Sequence, residues 1–186
     1  GTPWEVPMTW ELVNAHAKFL KGKTDPLTGL EAHGFLDPLK GWGGYGFYFL
    51  EDRATAYVKH PDDETGAFLF DPEDMTPLVN NPGWVQAIQD VIDLMNTDGA
   101  YPSDQINKDP NGTGFDQFLA GTGSTVMWWG DVGSHARTSD TSVVGDVVGF
   151  GINPGTTRVY DWRGGEWDET PNVSPHNAYI GWGMYV

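Results

Sequence analysis

Two adjacent tryptophans are followed at once by a glycine and an aspartate: Trp128, Trp129, Gly130 and Asp131. An indole stacks on the C–H face of a sugar ring, and a carboxylate accepts charge-assisted hydrogen bonds from the hydroxyl groups at the rim of that ring. A neighbouring glycine lets the backbone approach a ligand closely. The stretch WWGD therefore favours carbohydrate binding.

Similar residues occur at two other places. Trp42 and Tyr45 lie in a glycine-rich stretch, and Trp182 lies between two glycines. The alternative for each aromatic residue is that its ring packs in the core of a domain rich in aromatic side chains. If the run that ends in WWGD is a strand, its two tryptophans point to opposite faces, so that one can pack while the other faces elsewhere.

Signals for a metal or a catalytic site are weaker. Residues 107–118 resemble a calcium loop, but Phe118 stands where the bidentate glutamate is required, and a turn before a short helix is the alternative. Ser134 and His135 are adjacent rather than part of a recognisable triad, and neither HExxH nor GxxxxGK[ST] occurs. We therefore expect no metal, cofactor or catalytic residue. The sequence leaves open whether two carboxylates lie at the separation that glycoside hydrolases use.

Composition limits the partners of the chain. It has 26 acidic and 10 basic residues, and a net charge of −16 repels a phosphate backbone, so nucleic acid is excluded. No apolar run reaches the ~20 residues of a membrane-spanning helix, so no membrane insertion is expected. The 186 residues, with nine Trp, nine Phe and seven Tyr, can build the core of one domain. The absence of cysteine decides little.

Helix and strand signals alternate along the chain, which predicts an α/β lobe. Thr9 is a suitable N-cap for a helix over residues 10–21, and Asn81 before Pro82 predicts the start of another. Further helices are expected after the glycine-rich stretch 41–44 and around 115–119. The expected strands are a short one within 29–38 and residues 67–70, 124–129, 146–155, 157–162 and 177–186.

Helical spacing also predicts which side chains face the core. The expected buried faces are Leu12, Ala15 and Phe19 in the first helix, and Trp84, Ile88, Val91 and Met95 in the helix after Asn81.

The order of these motifs resembles the second lobe of bacterial extracellular solute-binding proteins (family 1), which serve sugar-type ABC transporters. The stretches that carry the resemblance are PMTWEL (7–12), LFDPEDMTPLVNNPGWVQAIQDVIDL (69–94), FDQFLAGTGSTVMWWGD (115–131), VGFGINPG (148–155) and YIGWGMYV (179–186). They occur in order and are spread over nearly the whole length of the chain, from residue 7 to residue 186. Ile180 stands where this family commonly has glycine, and the loop after WWGD differs from that of maltose-binding protein, which leaves the ligand open.

The resemblance implies one lobe, residues 1–186, of a type II periplasmic-binding-protein-like fold with a mixed sheet flanked by helices. It further implies a sugar cleft between two lobes, closed by a hinge, and delivery to the permease subunits in the membrane. The protein is expected in the periplasm or outside the cytoplasm, and it is not expected to be an enzyme. By position, the ligand-binding residues implied are Trp42, Tyr45, Trp129, Asp131 and Trp182.

Two other classes stay open: a carbohydrate-active enzyme, and a freestanding carbohydrate-binding module that needs no partner lobe. The chain begins without Met and ends within an apolar run, so we expect a piece of a longer protein that lacks its signal peptide, its first lobe and its C-terminal part. One lobe alone then binds weakly, because losing about 4 kcal/mol of contacts turns a micromolar site into a millimolar one.

Overall fold

The computed structural model describes residues 5–26, 28–37, 39–40, 46–97, 100 and 114–173. These residues form a mixed α/β fold, which confirms the predicted class at that level. The elements are α1 (Trp10–Leu20), α2 (Gly46–Val58), α3 (Pro82–Ile92) with a π-helical turn directly after it (Asp93–Thr97), α4 (Asp116–Leu119), α5 (Val132–Thr138), β1 (Val159–Asp161) and β2 (Glu166–Asp168). None of the helices in the described residues combines the length and the hydrophobicity that a membrane crossing requires.

Both predicted helix starts are confirmed. The Thr9 hydroxyl accepts a hydrogen bond from the Leu12 N–H at 3.3 Å at the start of α1. The Asn81 side chain accepts bonds from the N–H groups of Gly83 and Trp84 at 3.0 and 3.1 Å at the start of α3. A helix leaves its first N–H groups without partners, and these side chains supply them.

Asn81→Ala is expected to destabilise the protein by about 1 kcal/mol, because two N–H groups of α3 lose their acceptor. For a chain of this size that corresponds to a fall in Tm of about 2–4 °C, measurable by circular dichroism. Asn80→Ala is the matched control, since Asn80 is exposed one residue earlier. Equal shifts in the two variants would show that the cap does not stabilise α3.

The core lies around α2, which is buried along most of its length and packs against α3 and β1. Tyr57 of α2 donates a hydrogen bond to the Asp90 carboxylate of α3 at 2.6 Å. Trp84 of α3 stacks on Phe68 at a centroid distance of 6.2 Å and donates its indole N–H to the Phe68 carbonyl. The polar groups of Tyr57 and Trp84 are thus paired at this contact, and α2 serves as the central scaffold of the fold.

The predicted buried face of α1 was wrong. Leu12, Ala15 and Phe19 are exposed, and the buried side chains of α1 are Trp10, Val13 and Ala17. Both sets have helical spacing, so the pattern fits either face. The face that includes Trp10 is buried, because this ring has the larger apolar area and also packs under the buried Arg53 guanidinium, 3.9 Å from the ring centre.

The predicted face of α3 was right in part. Trp84 is buried as expected, and Val91 and Met95 are partly buried, but Ile88 is exposed. Ala87 is buried instead, four residues after Gly83, where an added Cβ atom would lie 2.8 Å from the Tyr57 carbonyl oxygen of α2. A small residue at that contact lets the two helices pack closely, a preference that a hydrophobicity pattern does not register.

Strand pairing among the described residues is limited. β1 and β2 form an antiparallel hairpin with Tyr160 opposite Trp167, which confirms the strand predicted within 157–162. The segments predicted at 67–70, 124–129 and 146–155, and the short one within 29–38, take part only through isolated bridges. The expected multi-strand mixed sheet is therefore not seen in the described part of the chain, and the predicted strand 177–186 lies outside it.

Candidate ligand-binding site

Two extended segments run in parallel and end at the same edge of the molecule. The His33 N–H donates to the Thr122 carbonyl and the Leu36 N–H to the Thr125 carbonyl, each at 2.8 Å. His33 pairs with Gly123 and Leu36 with Val126 in parallel bridges. Asp37 follows the first segment and WWGD follows the second, so both lie at the carboxyl ends of paired segments. In open α/β sheets, ligands bind at such an edge.

Phe49 of α2 contacts both tryptophans of WWGD. The Phe49 ring stacks on Trp128 at 6.1 Å and meets Trp129 edge to face at 5.3 Å. The two indoles also meet each other edge to face at 5.3 Å. Trp128 is partly buried against the core, whereas Trp129 keeps 45% of its surface exposed. Trp129 thus presents an accessible indole held by two other rings.

Asp131 stands at the start of α5, a helix that the sequence interpretation missed. It is exposed, and its carboxylate caps no N–H group of the helix. The signal was an aspartate directly before VGSHART, a residue type favoured at N-caps. From α5, His135 packs on Phe115 at 4.9 Å, and Phe115 in turn lies 5.4 Å from Trp128. The helix therefore borders one side of a group of contacting rings that we call the aromatic cluster: Phe49, Phe115, Trp128, Trp129 and His135.

A groove of about 700 Å³ opens beside WWGD. We call it the apolar groove; it runs between the segments 123–130 and 147–154, with Val6, Trp10 and Val13 also in its wall. Asp25 is the one charged side chain among the described residues that line it, and its carboxylate accepts hydrogen bonds from Thr28. The groove therefore suits an apolar or uncharged occupant rather than an anion.

The other predicted site residues, Trp42, Tyr45 and Trp182, lie outside the described residues. The chain leaves the described part at Lys40 and returns at Gly46. A Cβ atom on Gly46 would lie 2.6 Å from the Leu39 carbonyl oxygen, so these two ends of the glycine-rich stretch meet closely. Gly46 begins α2, whose first turn carries Phe49 to the tryptophans.

Glu51 is a titratable residue in α2 that sequence reasoning missed. It is fully buried, and neither of its carboxylate oxygens has a hydrogen-bond partner among the described residues. Burial, and secondly the charge of Asp52, raises the pKa of Glu51 to about 7. No sequence pattern indicates its burial, because a glutamate in a helix is usually exposed and only the packing around α2 buries this one.

The described residues contain no group of three or more acidic or histidine side chains placed to hold a metal ion. Most of the calcium-like stretch 107–118 lies outside these residues. Comparison with protein-family models, curated proteins and solved structures finds no significant match to this chain. A functional interpretation therefore depends on the geometry of the aromatic cluster and on the sequence motifs.

Proposed function

We propose that this chain is the second lobe of an extracellular solute-binding protein of a sugar-type ABC transporter, with a type II periplasmic-binding-protein-like fold. Its ligand is a sugar or oligosaccharide, bound in a cleft between this lobe and a first lobe and then delivered to the permease. The observation that carries the proposal is an exposed Trp129 indole, followed two residues later by the exposed Asp131, at the shared edge of two parallel segments.

The aromatic cluster supports this proposal because it fixes the orientation of Trp129. Edge-to-face contacts with Phe49 and Trp128 hold the ring from two sides. A ring that is ordered before the ligand arrives loses little conformational entropy on binding, so more of the stacking energy contributes to affinity. Asp131 lies two residues on, and its carboxylate is not used as a helix cap, so it is available to accept hydrogen bonds from hydroxyl groups.

The charge of the chain also supports a neutral ligand. The net charge is −16, and the described lining of the adjacent groove has no Lys or Arg to neutralise an anion. A sugar needs no countercharge, because aromatic stacking and hydrogen bonds supply its binding energy. The motif order from PMTWEL to YIGWGMYV supports the assignment to a lobe that works with a partner lobe rather than to an enzyme.

The test is titration calorimetry with a panel of mono- and oligosaccharides, on this chain and on the longer protein that the proposal requires. We expect tight binding by the longer protein and little by this chain. Trp129→Ala and Asp131→Asn should each weaken binding by the longer protein about tenfold or more, or 1.4 kcal/mol.

Trp162→Ala and Asp140→Asn are the matched controls. Trp162 lies next to the β1–β2 hairpin, where its indole N–H donates to Asp63, and Asp140 is exposed after the end of α5. Neither is expected to change affinity. Equal binding by this chain and the longer protein would contradict the two-lobe proposal and indicate a freestanding carbohydrate-binding module. Turnover of a glycoside would indicate an enzyme.

A further inference from the structure

The wall of the apolar groove at residues 147–154 is held against two other parts of the fold. Its Phe150 ring lies over the first turn of α5, where a Cβ atom on Gly133 would come within 2.6 Å of the ring. Directly after this wall, the Gly155 N–H donates to the Met8 carbonyl at 2.9 Å, just before α1. The facing wall pairs with the segment 33–36. The shape of the groove is therefore set by contacts within the described part of the chain.

The side chains of the 147–154 wall form an exposed apolar surface. Val147, Phe150 and Ile152 keep 60%, 64% and 60% of their surfaces exposed. From Val147 to Asn153 the sequence has no charged residue. A contiguous exposed apolar surface on a folded protein usually marks a binding site. The groove is therefore a candidate site in its own right.

Two of the four polar side chains in the described lining already form hydrogen bonds within the fold. The Asp25 carboxylate accepts bonds from the N–H and the hydroxyl group of Thr28, and the Ser124 hydroxyl donates to the carbonyl groups of His33 and Gly34. A hydroxyl group that is buried without a hydrogen-bond partner costs free energy, and a sugar ring carries several. The groove therefore fits a hydrocarbon group better than a sugar ring.

The groove is continuous with the candidate sugar site, because Trp129 belongs to both. This indole lines the groove, and contacts with Phe49 and Trp128 fix its orientation. The groove volume of about 700 Å³ lies within the range of about 300–1,000 Å³ that is usual for small-molecule pockets. One ligand can therefore contact WWGD with one part and fill the groove with another.

We propose that the apolar groove is a second subsite, which binds the neutral alkyl or aryl aglycone of a glycoside whose sugar lies on Trp129. The sugar half of this assignment rests on the proposed function, whereas the preference of the groove for a hydrocarbon group does not. A fatty acid is a poorer occupant, because the chain has a net charge of −16 and the described lining of the groove has no Lys or Arg to pair with a carboxylate.

Fluorescence titration of this chain with N-phenyl-1-naphthylamine tests the groove without a sugar, because this uncharged aromatic probe brightens in apolar surroundings. We expect saturable binding by the wild type, and binding about tenfold weaker in Phe150→Ser and in Ile152→Ser, since each change removes apolar contact area. Phe19→Ser is the matched control, because Phe19 is 63% exposed and lies outside the described lining of the groove. Circular dichroism checks that each variant stays folded.

The absence of saturable probe binding by the wild type would overturn the proposal. Equal affinities of the wild type and both groove variants would overturn it as well, because the probe would then bind elsewhere. An equal loss of affinity in Phe19→Ser would show a non-specific effect and would also contradict the proposal.

Calorimetry on the longer protein tests the link between the two subsites. A sugar that binds is compared with its phenyl glycoside, which should bind about tenfold more tightly because its ring buries apolar surface in the groove. Phe150→Ser should abolish this difference and leave the affinity for the sugar itself unchanged. Equal affinities for sugar and glycoside would contradict the shared ligand. Probe binding by this chain without sugar binding by the longer protein would contradict the proposed function and support the groove as a hydrocarbon site.

Discussion

Gly34→Ala is expected to lower the Tm by about 6–12 °C, because overpacking at this position costs about 3 kcal/mol. A Cβ atom at Gly34 would lie 1.9 Å from the carbonyl oxygen of Ala17 and 2.6 Å from its Cα. Both are backbone atoms of α1 and cannot rotate out of the way as a side chain can. Either α1 or the segment 33–36 must then move.

Gly149→Ala is the matched control, since a Cβ there meets no atom within 4 Å. We expect that variant to change stability by about 0.5 kcal/mol at most. Similar Tm values for the two variants would show that α1 does not pack on Gly34 in solution. The segment 33–36 pairs with the one that leads to Trp129. Under the proposed sugar-binding function, Gly34→Ala should therefore also weaken ligand binding, by displacing the edge where both segments end.

The unfolding free energy of the wild type is expected to fall as pH rises toward 7. Glu51→Gln is expected to abolish this fall. The pKa of Glu51 is about 7 in the folded protein, above its ordinary value of 4.5, because burial disfavours the charged form. Between these two values the folded protein holds a proton that the unfolded chain has released. Its contribution to stability is therefore fully present below pH 4.5 and is lost as pH rises through 7.

Chemical denaturation between pH 4.5 and 8.5 measures this effect. Relative to Glu51→Gln, the wild type should lose about 2–3 kcal/mol of unfolding free energy across that range, because no hydrogen-bond partner among the described residues offsets the burial of ionised Glu51. Glu64→Gln, on an exposed loop, is the control and should follow the wild-type profile. If the difference between wild type and Glu51→Gln is the same at every pH, Glu51 does not titrate in this interval.

The features that the sequence predicted correctly are local ones. A helix start depends on a cap and the few N–H groups after it, so Thr9 and Asn81 were sufficient to place α1 and α3. The buried face of α1 was not predictable from spacing, because the residues on both faces are apolar. Only the packing of Arg53 and Phe35 against Trp10 selects the face that is buried.

At the candidate site, too, local motifs could be predicted from the sequence and contacts between distant segments could not. The motif WWGD could be found by residue type, and the difference in burial between its two tryptophans fits the expectation that one packs while the other stays accessible. The contact of Phe49 with both tryptophans could not be predicted, because only the tertiary structure brings α2 next to WWGD. The burial of Glu51, which raises its pKa, could not be predicted for the same reason. Trp42, Tyr45 and Trp182 remain predictions.

The contact of Phe49 with both tryptophans has a consequence for how this site can diverge. The orientation of Trp129 is set from α2, the most deeply buried of the described helices, whereas Asp131 belongs to the surface turn that begins α5. Substitutions in that turn can therefore exchange one hydrogen-bonding group for another while the angle of the indole stays the same. Under the proposed sugar-binding function, changes in this turn would alter which solute is bound while the aromatic platform stays unchanged.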